Sequence, residues 1–367
     1  MNGNSNQIQR LERLAHSLID QEAAQIIVPP DGEGEGSWFG GGNLWQDDGG
    51  ELWLVGRYRN PGDSRTGIAQ GSRGFALAVF HSSDAGATFS KVWQRSKSEL
   101  APPGEEVLSI EGSVMIATEN GIELLVSTEK SSREYPESIL KFQKPGTGIW
   151  TIDRLVSDSV QGLKIATAEP LLASCDPEIL HVKDPFVYSS KSNSQLLGVC
   201  THPFNWSSSN TILREYSSGH APARLSPSEC LPRGLTWDVA IHRITSIVDV
   251  LCEGESESLQ LVFYDGGECV RNLNAHRNAV DRPRGYSCEE VGGLAVMQNG
   301  DLQSLSALSR WHPSFTSPHG TGCSRYVDVL VTKERWYATW QQSQPDGSQP
   351  LVCHSLDAQT VSQLLND

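Results

Sequence analysis

The sequence predicts an all-β fold, a five-bladed β-propeller carrying a short N-terminal helix. Three observations lead there. From residue 25 onward the chain is a succession of short apolar runs separated by Gly, Asn, Asp and Ser, the texture of strands and turns. The runs pair into hairpins that recur from Trp38, Ser109, His181, Thr236 and Arg325, on average about 70 residues apart, the length of a four-stranded blade with its loops. The last unit lacks an outer strand, and "QIIVPP" near the start of the chain can supply it, closing the ring through its own ends.

The elements follow in order. "NQIQRLERLAHSLID", residues 6 to 20, places Ile8, Leu11, Leu14 and Leu18 on one stripe of an amphipathic helix. Residues 1–24 therefore form a helix and lead-in, and residues 25–367 a single propeller domain. Unit one is "WFGGGNLWQDDGGELWLVGRYR" followed by "RGFALAVF" and "TFSKVW"; unit two opens with "SIEGSVMIATENGIELLVSTEK" and unit three with "HVKDPFVYSSKSNSQLLGVCTH". Unit four runs from "TWDVAIHRITSIV" through "LQLVFYDGG" to "VGGLAVMQ" and "DLQSLSALS", whose Asn-Gly junction favours a tight hairpin. Unit five holds "RYVDVLVTKERWYATWQQS" and "PLVCHSL". Six blades are the alternative, if "EEVGGLAVMQNGDLQSL" founds a unit of its own. Ring closure hides strand edges that would otherwise invite aggregation.

Composition narrows the function. A chain of 367 residues can bury a large core as one unit. Its formal net charge of -15 repels nucleic acid and anionic membrane, so neither is an expected partner. No apolar run approaches the roughly 18 residues of a membrane helix, and the first residues lack a basic then apolar leader, which predicts a soluble, cytoplasmic protein. The 8 cysteines all lie from Cys175 onward without zinc-knuckle spacing, so reduced, mostly buried thiols are expected. No phosphate loop or dinucleotide fingerprint is present, and no organic cofactor is predicted. A calcium ion in the axial channel is left open, and nothing in the sequence speaks to oligomeric state.

In "SSDAGATF", residues 82 to 89, Asp84 can accept hydrogen bonds within its own turn, Gly86 can take a positive φ, and Phe89 can anchor the next strand. The stretch resembles the Asp box of sialidases and other propeller proteins, a turn between the two outer strands of a blade. That resemblance implies a structural part at the rim for Asp84, and an architecture in place of a reaction.

Chemistry in a propeller gathers where the innermost strands begin, around the axis. Those positions hold Glu111 in "SIEGS", Asp184 in "HVKDPFVY" and Asp238 in "LTWDVAIHR", acids near the starts of apolar strands in three consecutive units. Asp238 has a plainer alternative as a salt-bridge partner of Arg243. Two carboxyl groups across a pocket are what glycosidic bond cleavage needs, one protonated to donate to the leaving oxygen and the other ionised as base or nucleophile.

Here the chain resembles the five-bladed glycoside hydrolase group that includes arabinanases, β-xylosidases and fructan-cleaving enzymes. "HVKDPFVYSSKSNSQLLGVCTHPF" looks like that group's Asp-Pro motif and "SIEGSVMIATENGIELLVSTE" like its Glu-Gly motif. The resemblance implies that Glu111 donates the proton and that Asp184 assists. Two departures stand out: "SWFGGGN" offers no acid in the first unit, and the Glu-Gly copy precedes the Asp-Pro copy. The base or nucleophile then falls to Asp238, or next to Asp265 in "FYDGG".

Other polar residues point to what is bound. Arg57, Arg59, Asp63 and Arg65 in "VGRYRNPGDSRTG", with Arg325 and Tyr326 in "GCSRYVDV", suggest a carboxylate or sulfate held by paired guanidinium hydrogen bonds. "CTHPFNWSSSN" offers His202, Asn205 and Trp206, the tryptophan a platform for a sugar ring; Trp38 and Trp237 are further candidates. The expected activity is hydrolysis of a terminal or short-oligosaccharide glycosidic bond, with an anionic sugar as the finer expectation and carbohydrate as the partner. The alternatives are a lyase on uronic-acid sugars, with Arg57 or Arg325 neutralising the carboxylate and Tyr326 or His202 as base, and a non-catalytic glycan-binding propeller.

Overall fold

The computed structural model describes residues 5–60, 73–119, 121–189, 195–218, 220, 224–250, 258–270 and 283–366. Helix α1 (Ser5–Leu18) leads into β1 (Gln25–Val28). Blade one holds β2 (Trp38–Gly40) and β3 (Leu44–Gln46) as a broken inner strand, then β4 (Leu52–Arg59), β5 (Ala76–Ser82) and β6 (Ser90–Ser96). Blade two is β7 (Val107–Thr118), β8 (Gly121–Lys130), β9 (Ile149–Ser157) and β10 (Glu169–Leu172). Blade three is β11 (His181–Ser189), β12 (Gln195–His202) and β13 (Asn210–Tyr216). Blade four is β14 (Ile241–Val250), β15 (Leu259–Gly267), β16 (Val291–Gln298) and β17 (Asp301–Ala307). Blade five is β18 (Ser324–Val331), β19 (Arg335–Gln342) and β20 (Leu351–Asp357), with β1 as its fourth strand.

The ring therefore has five blades, and "VGGLAVMQNGDLQSL" forms the outer hairpin of blade four. Its turn residues Asn299 and Gly300 both take the left-handed φ that a two-residue hairpin asks for, at 52° and 70°. β1 pairs antiparallel with β20, Gln25 opposite Cys353, which closes the ring through residues from both ends of the chain. A second helix, α2 (Ala358–Asn366), follows β20 and was not legible in the sequence. Two turns are too short for a 3.6-residue period to stand out.

Hydrophobic cores sit between blades. Val55, Leu77 and Trp93 of blade one meet Met115 and Leu124 of blade two, whereas Leu54 and Phe39 meet Tyr337 and Leu351 of blade five. Adjacent residues of one strand thus point to opposite faces, and both faces are covered, which explains continuous apolar runs such as "LWLVG". Helix α1 seats Leu11, Leu14 and Leu18 on the seam between blades four and five, against Phe263 and Trp340. Burying those three leucines stabilises the helix by roughly 2 kcal/mol each. Among the described residues no helix is long and apolar enough to cross a membrane.

The rim turn at Asp84 adopts the geometry its residues suggest. Thr88 N and Oγ1 donate to the Asp84 carboxylate at 2.9 and 2.6 Å, Gly86 has φ of 84°, and Phe89 packs against the core between blades five and one. All of these atoms lie between β5 and β6, far along the blade from the axis.

Near the axis the five inner strands share one irregularity. Pairing with the second strand slips between Ile110 and Ser113, Lys183 and Phe186, Ile244 and Ser246, and Arg325 and Asp328, and in blade one the strand breaks between Gly40 and Leu44. Bulges of this kind re-aim side chains and free backbone groups, and they favour functional sites. The freed groups are tied to the neighbouring blade: Ser113 N donates to Gly41 O at 2.8 Å, Gly112 N to Asp184 Oδ1 at 2.9 Å, and Leu44 N to Asp328 Oδ2 at 2.8 Å. The result is a stitched ring of bulges around the axis.

Gly112 explains the Glu-Gly pair. A Cβ at this position would stand 2.7 Å from Asp184 Oδ1 and 2.8 Å from Asp184 Cα, so only glycine lets blades two and three approach. Gly112→Ala is expected to cost about 2 kcal/mol, the scale of core overpacking, measured by chemical denaturation. A variant as stable as the parent would show that the two strands can part freely.

Candidate functional site

The bulges place a charged cluster at the strand-start side of the axis. Arg57 from β4 reaches Glu111 from β7 with a fork of hydrogen bonds, Nε and Nη2 donating to Oε2 at 3.0 and 2.7 Å. Asp184, held at a strained φ of 52°, accepts from Gly112 N on one oxygen and from Arg243 Nη1 on the other at 2.9 Å. Arg243 then grips Asp265 through Nε and Nη2 at 3.0 and 2.6 Å, and its guanidinium lies 4.0 Å over the ring of Tyr326. Tyr326, also at a left-handed φ of 55°, donates its hydroxyl to Asp184 at 3.2 Å and its N–H to Asp265. Arg325 donates to Glu290 at 2.6 Å. Lys183 stands 3.6 Å from Asp184, under the rings of Trp150 and Trp206.

The electrostatics follow from those contacts. Burial alone would raise the Glu111 carboxyl, but Arg57, Lys183 and Arg59 hold it well below the usual range. Asp184 is likewise lowered by Lys183 and Arg243 against its burial, and Glu290 is brought to about 2 by Arg325 and Arg243. Asp265 goes the other way: burial lifts it to about 6 despite Arg243. Burial keeps His202 far below its ordinary value and so neutral, and it brings His181 to about 3.

Past the bulges the axis encloses a cavity of about 80 Å³, lined by Gly41, Gly112, Asp184, Arg243, Tyr326 and Asp328. Asp328, partly exposed there, is lifted to about 7 by burial, with the N–H groups of Leu44 and Val329 opposing. A carboxyl whose folded value lies above its unfolded one contributes stability at pH below about 4 and loses it as pH rises through 7. Asp328→Asn is therefore expected to raise stability at pH 8, on the order of 2 kcal/mol, with the gain shrinking toward pH 4 in paired thermal melts. A gain independent of pH would remove the charge as its cause. The described residues hold no group of three or more His, Cys, Asp or Glu suited to a metal ion.

The sequence-predicted residues divide clearly. Glu111, Asp184, Arg57, Arg325 and Tyr326 come together. Asp238 does not: β14 starts at Ile241, so Asp238 lies in the preceding turn, 2% exposed, accepting from Tyr264 Oη at 3.1 Å. Nor does it pair with Arg243, whose partners are Asp184 and Asp265. Arg243 itself occupies the position expected of the third acid. Asp265 is a correction of another kind, because it is 0% exposed with both oxygens engaged by Arg243 and Tyr326 N, leaving no edge for a substrate. His202 ends β12, and its Nδ1 is taken up by Ser208 O at 2.9 Å. Trp206, at φ of 56°, is packed against His181 and His202 with centroids 4.3 and 4.5 Å apart, so one face of its ring is built into the wall. Trp237 is fully buried and donates to Ser309 O, a packing part, while Trp38 meets Arg59 and Arg325 at 4.1 and 4.7 Å. Asp63 and Arg65 lie outside the described residues.

Four contributors escaped sequence reasoning. Lys183 and Arg243 carried the same signal as the acids, a charge in an apolar inner strand. Glu290 arrives beside β16, the third strand of its blade, and Cys288 from the loop before it, with φ of 79° and its Sγ 3.4 Å from Arg59 Nη1. Burial would raise that thiol, but Arg59 and Arg325 lower it. Of the seven described cysteines only Cys200 and Cys323 are buried, against the expectation that most would be, and Cys175 is exposed; Cys252 lies outside the described residues.

The sequence matches no protein-family model and no curated protein. Solved structures do resemble it. A thermostable family-43 glycoside hydrolase aligns with a TM-score of 0.56 at 12% identity, over 90% of this chain and 92% of its own. A β-xylosidase gives 0.55 at 10% identity over 91% and 95%, and an α-L-arabinofuranosidase from Lactobacillus brevis 0.55 at 9% over 93% and 93%. The fold is the five-bladed propeller of these hydrolases. Nearly the whole of each chain takes part, so the propeller corresponds from its first blade to its last.

Proposed function

We propose that this propeller is a glycoside hydrolase that cleaves a terminal or short-oligosaccharide glycosidic bond. One observation carries the reading: Glu111 and Asp184, from adjacent inner strands, bring two carboxyl groups together at the axis, on the fold shared with the glycoside hydrolases. In the resting site Arg57 keeps Glu111 ionised, so its part is that of base or nucleophile, with Asp184 as its electrostatic neighbour and the leaving oxygen taking its proton from water. This revises the proton-donor role that the motif resemblance implied. The arginines beside the carboxylates favour an anionic sugar.

The test is a panel of aryl glycosides and oligosaccharides, neutral and uronate-bearing, read both for new reducing ends and for absorbance of unsaturated uronates. New reducing ends without that absorbance are expected. Unsaturated products would replace hydrolysis by elimination, and binding without turnover would leave a glycan-binding propeller.

A further inference from the structure

We infer that Arg57, Arg325 and Trp38 form a recognition site for a sugar carboxylate, next to Glu111. The inference rests on the hydrolase reading for its setting and adds the chemical class of the sugar.

The observation is a set of donors with nothing to donate to. Arg57 Nη1, Arg325 Nε and Nη2, and Trp38 Nε1 are buried, and each lacks an acceptor among the described residues. Arg57 is 0% exposed, Arg325 2% and Trp38 5%. A buried donor left unmade costs about 1 to 3 kcal/mol, so native structures rarely carry several side by side unless water or a ligand completes them. These belong to one locality. Arg57 and Arg325 flank Tyr326, their guanidinium carbons 5.6 and 5.3 Å from its ring, and each acts electrostatically on the other's neighbourhood, since Arg325 opposes the charge on Arg57. Arg325 also lies 4.7 Å from the Trp38 ring. Two like charges held this close call for an anion.

The remaining edges of the same groups select which anion. Glu111 occupies one edge of Arg57 and Glu290 one end of Arg325. What is left without an acceptor is a few buried N–H groups on planar forks, which match the two coplanar oxygens of a carboxylate. A dianion such as a phosphate ester would face Glu111 and Glu290 at short range and be repelled. A carboxylate on the ring of a uronic acid meets the donors with a single negative charge.

Titration calorimetry with D-glucuronate and D-galacturonate against D-glucose, D-galactose and glucose 6-sulfate tests this. At least one uronate is expected to bind tenfold or more tightly than its neutral parent. Arg325→Lys keeps the charge and the reach to Glu290 but removes the fork, and is expected to lower uronate affinity at least tenfold. Trp38→Phe, which removes the indole N–H together with its five-membered ring but keeps an aromatic face for Arg59 and Arg325, should lower it about threefold, and thermal melts of both variants confirm folding. Equal binding of uronate and neutral sugar, stronger binding of the sulfate ester, or affinity untouched in both variants overturns the inference. Its failure is separable from that of the hydrolase reading: a neutral glycoside cleaved without preference for uronates sinks the carboxylate site alone. Tight uronate binding without any glycoside turnover sinks the hydrolase alone.

Discussion

Replacing Arg243 by methionine is expected to destabilise the protein by about 5 kcal/mol or more, the largest effect of any single substitution near the axis. The side chain donates to Asp265 and Asp184, lies 3.6 Å from Glu290, and stacks on Tyr326. Methionine fills much of the volume but leaves three buried carboxylates without their shared cation. Removing one member of a buried pair typically costs 3 to 5 kcal/mol, because the partner's charge stays behind in low dielectric. Two consequences make the cause testable. Deprived of Arg243, these acids gain protons more readily when folded than when unfolded, so the deficit should shrink as pH falls toward 5. Adding Asp265→Asn should recover part of the loss at pH 8. Denaturant melts across pH read both; a deficit that is flat with pH and unrelieved by Asp265→Asn would trace it to packing instead.

The second large effect concerns turnover. Glu111→Gln keeps the shape of the side chain and one acceptor for Arg57, yet removes the charge on which the proposed chemistry depends. Hydrolysis is expected to fall by about three orders of magnitude, equivalent to roughly 4 kcal/mol of barrier, while the variant stays folded. Asp184→Asn should lose less, about 10- to 100-fold, because it acts through its neighbour. The pH profile discriminates roles. Since Arg57 holds Glu111 well below the usual range, its ionised form persists into acid, and activity that needs it should survive below the pH at which an ordinary glutamate is protonated. A basic limb, with activity lost as pH rises and the limb absent in Glu111→Gln, would return this residue to the role of proton donor.

The fold was legible because its pairings are local. Each blade is a run of neighbouring hairpins, and alternation along strands such as β4 and β8 is replaced by two covered faces, a pattern that short apolar runs reveal directly. The Asn299-Gly300 turn and the segment before Pro29 were readable from single residues for the same reason. The site was legible only where a charge interrupted an inner strand. Glu111 and Asp184 qualified, as did Arg243, which was read only as a partner for Asp238. Asp238 was misplaced because three residues of turn precede β14, an offset no periodicity could show. Glu290 and Cys288 were invisible since they reach the axis from a third strand and its loop, by closure of the ring and not by sequence proximity.

That closure has a consequence for how the molecule is made. β20 pairs with β1, so blade five needs residues 25–28 and residues 351–357 at once. During synthesis the first four blades can assemble as they emerge, yet β1 must wait, unpaired, until β20 has left the ribosome. Trimming β1 should therefore expose the edge of β20, whereas trimming β20 should expose the edge of β19 and leave β1 without its partner.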